Sequence, residues 1–322
     1  MGAGRPSSLA RSGEAGEIRP VRRVALVVNP AAGGWRSLRL AERLQPELVA
    51  CGITVARRVT ARPGDATAFA AAALVEGMDA VVVCGGDGTV NEVVQALAGT
   101  PGRLAVAAGG RGNDLARTLA VPRDPAPWAH MLAAGHTCRL DVGTAGGRRF
   151  ATVATLGFDA AVSARAARGL WILQGRAAYL VATVLALRRY RPPVVEIRGA
   201  GRSYRGPILL AATGNIGTYG GGMRIAPGAL ADDGLFRVCI IRDMPRYAVL
   251  GLLPRVISGR HVSHPAVELW DTPFIEVRAD PPCVLYADGE PIGETPLRLE
   301  ILPRALRVIA PPEARDGQPD EP

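Results

Sequence analysis

Lysine is absent: all 38 basic residues of the 322-residue chain are arginine. That excludes a Walker-type phosphate-binding lysine, a protein-kinase strand lysine and a Schiff-base lysine. Any phosphate chemistry must use backbone N–H groups, arginine or a metal ion. Aromatic residues make up only 5% of the chain and no nucleic-acid recognition motif is present, which argues against nucleic acid as a partner. The five cysteines, Cys51, Cys84, Cys138, Cys239 and Cys283, form no CxxC pair. An odd, scattered set suits buried thiols in a reducing cytosol rather than a disulfide framework or a zinc site. The longest apolar run, AAYLVATVLAL at 177–187, is short of the roughly 20 residues that span a bilayer. The opening MGAGRPSSLARSGEAGE has no apolar h-region and does not read as a signal peptide. Together these predict a cytoplasmic protein.

What is present begins with charge. The net charge of +9 favours anionic partners such as nucleotides or acidic lipid, although an arginine-biased coding composition explains much of the excess. Residues 1–20 and 311–322 are polar, Pro/Gly-rich tails and read as disordered. From residue 21 strands and helices alternate: strands at 21–28, 53–60, 80–84 and 104–108, and helices at 35–50, 65–77, 90–98 and 113–120. The strands are apolar on both faces, which predicts a parallel sheet covered by helices. After about residue 141 the pattern changes to short, partly alternating segments between turn residues, including RRFATVATLG, VVEIRGAG, LFRVCIIRD, CVLYADGE, LRLEIL and ALRVIAPP. These predict an antiparallel β-sandwich, with helical insertions near 159–190 and 245–258.

Three glycine turns follow strands of the first region: NPAAGG at 29–34, GGDGT at 85–89 and AAGGRGNDLAR at 107–117. Ligands of open α/β sheets bind beyond the carboxyl ends of the strands, and helix N-termini offer N–H groups to anions. Three such turns at one edge predict a phosphate cleft. GGDGT departs from the dinucleotide fingerprint, since Asn91 stands where a third glycine belongs. Its Asp87 would repel phosphate unless Mg2+ or hydrogen bonds offset the charge, so Mg-nucleotide fits better than NAD. A local alternative exists: Thr89-x-x-Glu92 has the spacing of a capping box, and Asn113 or Asp114 could be an ordinary helix N-cap.

The set VVNPAAGG, VVVCGGDGTVNEVVQAL, GGRGNDLAR, LDVG at 140–143, LGFDA at 156–160, GNIGTYGGGMRIAPGALADDGLF at 214–236 and YADGEPIGETPL at 286–297 resembles the diacylglycerol kinase catalytic-domain family, which includes bacterial soluble lipid kinases, sphingosine kinases and ceramide kinases. The resemblance covers nearly everything between residues 22 and 310. It implies an N-terminal α/β nucleotide domain (21–141, joined by 303–310), a C-terminal β-sandwich lipid-substrate domain (142–302), and ATP- and Mg2+-dependent phosphorylation of diacylglycerol or a related lipid alcohol at the inner membrane surface. Asn29 and Thr60 would border the nucleotide. Gly85, Gly86, Asp87, Gly88, Thr89, Val90 and Asn91 would form the ATP loop, continued by Gly112 and Asn113. Asp87 would join the charged Mg-nucleotide network. Glu290 matches the general base and Asp141 a further acid of the cleft. Asp233, with the carbonyls of Leu230 and Leu235, matches a structural Mg2+ site of some bacterial members.

One departure stands out: Arg111 occupies the place of a threonine in the usual Gly-Thr-Gly-Asn-Asp. Arginine can pair with phosphate in a bidentate way, and it also leaves room for altered nucleotide preference or lost turnover. Two alternative functions follow, an NAD kinase-like enzyme with a soluble substrate and an inactive nucleotide- or lipid-binding regulator. Residues 165–191 combine Trp171, Tyr179 and six arginines, and GLWIL at 169–173 is the expected membrane-touching element. The identity of the lipid is not readable, and a homodimer is left open.

Overall fold

The computed structural model describes residues 17–158, 187 and 190–312. The expected tails and the GLWIL element lie largely or wholly outside these residues. The first unit is built on β2 (Arg23–Val28), β3 (Thr54–Val59), β4 (Ala80–Gly85) and β5 (Arg103–Ala108), after a two-residue strand β1 (Glu17–Ile18). Their order is β3-β2-β4-β5, and every pairing is parallel. Every residue of β4, and all of β2 after Arg23, is buried, so both faces of the sheet must be covered. The cover is helical: α1 (Arg36–Ala50) lies against α5 (Pro125–Ala134), and α2 (Asp65–Val75) against α3 (Asp87–Leu97). α1 buries Ala41, Leu44 and Leu48, one helical stripe with i, i+3, i+7 spacing. A short helix α4 (Asp114–Thr118) follows β5.

The second unit is antiparallel. Its strands are β6 (His136–Ala145), β7 (Arg148–Phe150), β8 (Val153–Gly157), β9 (Val194–Gly199), β10 (Arg202–Gly214), β11 (Phe236–Arg242), β12 (Val267–Thr272), β13 (Phe274–Asp280), β14 (Val284–Ala287), β15 (Glu290–Glu294) and β16 (Leu297–Ile309). One layer runs β9-β13-β16-β6. The other runs β12-β11-β10-β8-β14-β15. β10 passes between them, pairing β9 through Arg202–Pro207 and β8 and β11 beyond Ile208. Between the layers Phe150 and Phe236 stack at 5.7 Å, among Leu156, Ile197, Val277, Leu285 and Leu299. Helix α6 (Arg246–Ser258) covers the outside of the second layer with Val249, Leu252 and Val256.

The two units share one strand. β16 pairs β13 and the late part of β6 from Leu297 to Leu302, breaks register, then pairs early β6 and, in parallel, β5 from Leu306 onward. Leu306, Val308, Ile309 and Ala310 lie in the first unit's core. Two segments that read as separate strands, LRLEIL and ALRVIAPP, are therefore one strand bent at a bulge, with Arg304 at φ 52°. β6 likewise runs through position 141, so there the chain crosses from one unit to the other within regular structure.

Candidate active site

The three glycine turns do meet at the carboxyl edge of the parallel sheet. The Asn29 N–H donates to the Cys84 carbonyl at 3.1 Å, and the Gly109 N–H to the Gly85 carbonyl at 3.1 Å. The Asn29 amide nitrogen donates to Thr89 Oγ1 at 3.0 Å, tying the first turn to α3. Thr60 sits one strand over, its N–H on the Val28 carbonyl at 2.9 Å. Two of the turns touch backbone to backbone: a Cβ on Gly110 would stand 2.4 Å from the Gly86 Cα. Gly110 is therefore needed for close approach. At Gly88 a Cβ would meet nothing within 4 Å; this glycine is exposed at the opening turn of α3.

That helix starts at Asp87, three residues earlier than its apolar pattern predicts. Its first i→i−4 bond is Val90 N–H to the Gly86 carbonyl, so the N–H groups before it have no partner within the helix. Free N–H groups of this kind, together with the helix dipole, are what an anion site at a helix N-terminus requires. The capping box does not form. Glu92 Oε2 instead accepts the Gly64 and Ala66 N–H groups at 3.0 and 3.1 Å, at the start of α2. Thr89 is buried on Asn29. Val90 and Asn91 are also buried, and Asn91 Oδ1 accepts from the Gln95 amide at 2.8 Å.

The acid in this glycine turn, Asp87, has its charge met by backbone amides. Its Oδ2 accepts the Asn113 N–H and its Oδ1 the Asp114 N–H, both at 2.8 Å. The carboxylate caps α4 from another loop, in place of Asn113 or Asp114 as N-cap. A Cβ on Gly112 would lie 2.2 Å from Asp87 Oδ2, so any larger residue there would push the carboxylate off its amides. Asn113 adopts φ 57° and bridges Gly110, accepting its N–H and donating to its carbonyl at 2.9 Å each. Arg111 is exposed at the tip of this turn.

The second unit closes onto the same turn. Asp114, buried, accepts the Gly221 N–H at 2.9 Å and Arg117 Nη1 at 2.8 Å, while Arg117 Nη2 donates to the Gly112 carbonyl at 2.9 Å. Burial pushes the Asp114 carboxyl above its ordinary range, and neighbouring Asp87 adds to the push. Asp288, at φ 51° in the β14–β15 turn, accepts the N–H of Ala151 at 3.0 Å and of Thr152 at 3.2 Å, and also the Thr152 hydroxyl. Glu290 is exposed two residues further on. Sequence reasoning assigned no role to Arg117, Gly221 or Asp288. All three sit inside the quoted motifs, yet only the fold shows that they meet the third turn or pin the segment carrying Glu290.

Asp141 is fully buried. Its carboxylate accepts the Arg304 N–H and the Gly234 N–H, both at 2.7 Å. Its own N–H donates to the Ala231 carbonyl at 2.6 Å, and its carbonyl accepts from the Asn215 amide at 2.9 Å. Asp233 lies on the loop so held; its Oδ1 accepts the Leu235 N–H at 3.0 Å. Burial, opposed by that hydrogen bond and reinforced by Asp141, Asp271 and Asp232, pushes Asp233 up to about 6.

Burial likewise pushes Asp288 up to about 6, against its three hydrogen bonds and with the Asp87 charge adding to the rise. Between about pH 4 and 6 the native protein then holds a proton at Asp288 that the unfolded chain has released. This group's contribution is complete below pH 4 and fades as pH rises through 6. Asp288→Asn, neutral throughout, should remove on the order of 1–3 kcal/mol of that pH-dependent loss. Parallel urea melts of both proteins at pH 4 and pH 7 check it; identical slopes refute the shift.

The chain is 33% identical to the diacylglycerol kinase of Mycobacterium tuberculosis over 306 residues, 92% of this chain and 98% of that protein. The chain belongs to the diacylglycerol kinase family. Residues 23–145 match the family model described as the diacylglycerol kinase catalytic domain, and residues 152–310 match the YegS C-terminal NAD kinase beta sandwich-like domain. The family also includes a Pseudomonas fluorescens protein named "Probable lipid kinase YegS-like", 33% identical over 82% of this chain and 88% of its own length. The solved structure of a diacylglycerol kinase from Bacillus anthracis superposes with a TM-score of 0.71 at 21% identity, over 92% of this chain and all of that one; it shows that the fold is shared. The α/β plus β-sandwich architecture is thus the family's. Among the described residues, no helix is long and apolar enough to cross a membrane.

Proposed function

We propose that the protein transfers the γ-phosphate of Mg-ATP to a hydroxyl of diacylglycerol or a related lipid alcohol while peripherally attached to the cytoplasmic membrane. The observation that carries this reading is the convergence of three glycine turns and the α3 N-terminus, closed by the second unit through the Asp114–Gly221 bond. Phosphoryl transfer is mostly positioning and charge neutralisation, and the site is built for both. The α3 N-terminus and its neighbouring turns receive the triphosphate. Asn29 and Thr60 border the nucleotide. Asp87 holds the third turn in place. Glu290 accepts the proton of the lipid hydroxyl, and Asp288 fixes the turn that presents it. Asp141 acts as a positioning residue rather than one that touches substrate, because its carboxylate oxygens are engaged by backbone amides.

Mg2+ bound with the nucleotide would neutralise charge developing on the transferred phosphoryl. A structural Mg2+ also fits the second unit: Asp233 together with the carbonyls of Leu230 and Leu235 is an all-oxygen donor set of the kind that hard cations prefer. A cation there would relieve the crowding of Asp233 by Asp141, Asp232 and Asp271. Among the described residues no three acidic, His or Cys side chains converge on one metal position, so such an ion would depend on backbone oxygen.

Incubation of the purified protein with γ-labelled ATP, Mg2+ and a panel of lipids in mixed micelles tests the reading. Label should enter one lipid class; ATP binding without label in any lipid refutes it. Arg111, exposed on the third turn, is assigned to the nucleotide phosphates. Arg111→Ala should raise the KM for ATP about tenfold, the worth of one charge-assisted contact, without moving the thermal midpoint. An unchanged KM would remove Arg111 from the site.

A further inference from the structure

Helix α6 has two apolar faces, and among the described residues only one of them is packed. Val249, Leu252 and Val256 point inward and are buried. At about 100° per residue, Tyr247, Leu250, Pro254 and Ile257 form a second stripe on the opposite side. Tyr247 is 80% exposed, Ile257 61% and Leu250 40%; Pro254 is exposed as well. Val262, in the 3-10 turn just after the helix, adds a further 39% exposed side chain. Large apolar side chains clustered on one outer face mark a contact site.

The charge around the stripe says what kind of contact. From Met244 to Val267 the sequence holds Arg246, Arg255 and Arg260 and no acidic residue. On the helical wheel Arg246 and Arg255 border the stripe from opposite sides, and Arg260 follows its end. Arg246 donates to the backbone carbonyls of Leu187 and Tyr190, which fixes the start of the helix, and among the described residues it meets no carboxylate within salt-bridge distance. Among the described residues neither Arg255 nor Arg260 meets a carboxylate within salt-bridge distance. The flanking acids are Asp243 and Glu268, and Glu268 lies 3.8 Å from Arg242.

We infer that α6 is a membrane-docking helix whose occupant is the surface of a bilayer containing anionic lipid. An exposed tyrosine, aliphatic side chains and an arginine rim are what an interfacial helix presents to the headgroup layer. Lipid phosphates supply the negative charge that the three arginines lack. This inference deepens the lipid-kinase reading, on which its purpose rests, and it places membrane contact on an element other than GLWIL. The bulk of α6 stays packed on the sandwich, so docking brings the second unit to the lipid without unfolding.

The test is co-sedimentation of the full-length protein with vesicles of phosphatidylcholine alone or mixed with phosphatidylglycerol. Wild type should bind the mixed vesicles and lose binding as salt is raised. Tyr247→Ser/Ile257→Ser should lower the partition coefficient about tenfold or more. Arg255→Gln/Arg260→Gln should lose about tenfold on mixed vesicles at low salt, each arginine near an anionic surface contributing several-fold, and little on phosphatidylcholine. Transfer of phosphate to a short-chain, monomerically dispersed diacylglycerol should stay at the wild-type rate in both variants. Equal vesicle binding by all three proteins, or none by wild type, overturns the inference. So does a wild-type dimer, seen without lipid by sedimentation equilibrium, that the Tyr247/Ile257 variant dissolves, since a second copy would then be the occupant. Absence of transfer in every protein with vesicle binding intact would sink the kinase reading alone.

Discussion

Glu290→Gln should lower kcat for lipid phosphorylation by at least a hundredfold and leave the KM for ATP and the thermal midpoint unchanged. A positioned general base is worth about 10²–10⁴ in rate. The substitution keeps the shape of the side chain and removes only its ability to take a proton. Glu290 is exposed at the first position of β15, so little folding free energy depends on it. The nucleotide is assigned to the opposite wall, around the α3 N-terminus, so ATP affinity has no reason to change. Single-turnover measurements with Asp288→Asn alongside separate the two acids. Asp288 holds the turn through the amides of Ala151 and Thr152, so its variant should lose stability together with activity. If Glu290→Gln stays within a few-fold of wild type while Asp288→Asn is inactive yet folded, the base is Asp288.

The parallel sheet was legible because β2, β4 and β5 are buried on both faces, and continuous Val/Ala runs leave little choice of structure. α5 was not. The stretch 125–134 went unassigned, although proline fits the first turn of a helix, where its missing N–H is not needed; here Pro125 opens it. The break within β16 was read as a boundary between two strands because Pro303 and Arg304 interrupt the alternation. The bulge that joins them depends on Asp141, more than 160 positions away. The site divides in the same way. Glycines and acids were identifiable by type and spacing, yet their roles depend on partners from other loops. Asp87 carries a charge that the sequence required Mg2+ or hydrogen bonds to offset, and the amides of Asn113 and Asp114 supply those bonds. Glu92 looked like the cap of its own helix and serves α2. Arg117 and Gly221 carried no local signal, since what makes them part of the site is their meeting across the two units.

Asp141→Ala should destabilise the protein by on the order of 3–5 kcal/mol, the largest effect expected of any single polar truncation here. The substitution leaves two part-buried amides, those of Arg304 and Gly234, without acceptors, at about 1–3 kcal/mol each, and empties the fully buried space of the Asp141 side chain. Arg304 is held at φ 52°, a conformation that costs a non-glycine residue about 1–2 kcal/mol and that the Asp141 bond helps to maintain. The same carboxylate anchors the 230–235 loop on which Asp233 sits. Loss of the anchor should therefore weaken any Mg2+-dependent gain in thermal midpoint as well as the midpoint itself. Asp141→Asn should fall between the two, since its carbonyl oxygen still accepts one amide while its NH2 group faces the other donor. Calorimetric melts with and without Mg2+, paired with kcat at a temperature where each variant is folded, decide between scaffold and chemistry. A scaffold role predicts a lowered midpoint with kcat recovered to within about tenfold once the variant is folded. An unchanged midpoint with kcat lost would put Asp141 among the reacting groups, as the family resemblance implies, and would require its carboxylate to release a backbone amide during turnover.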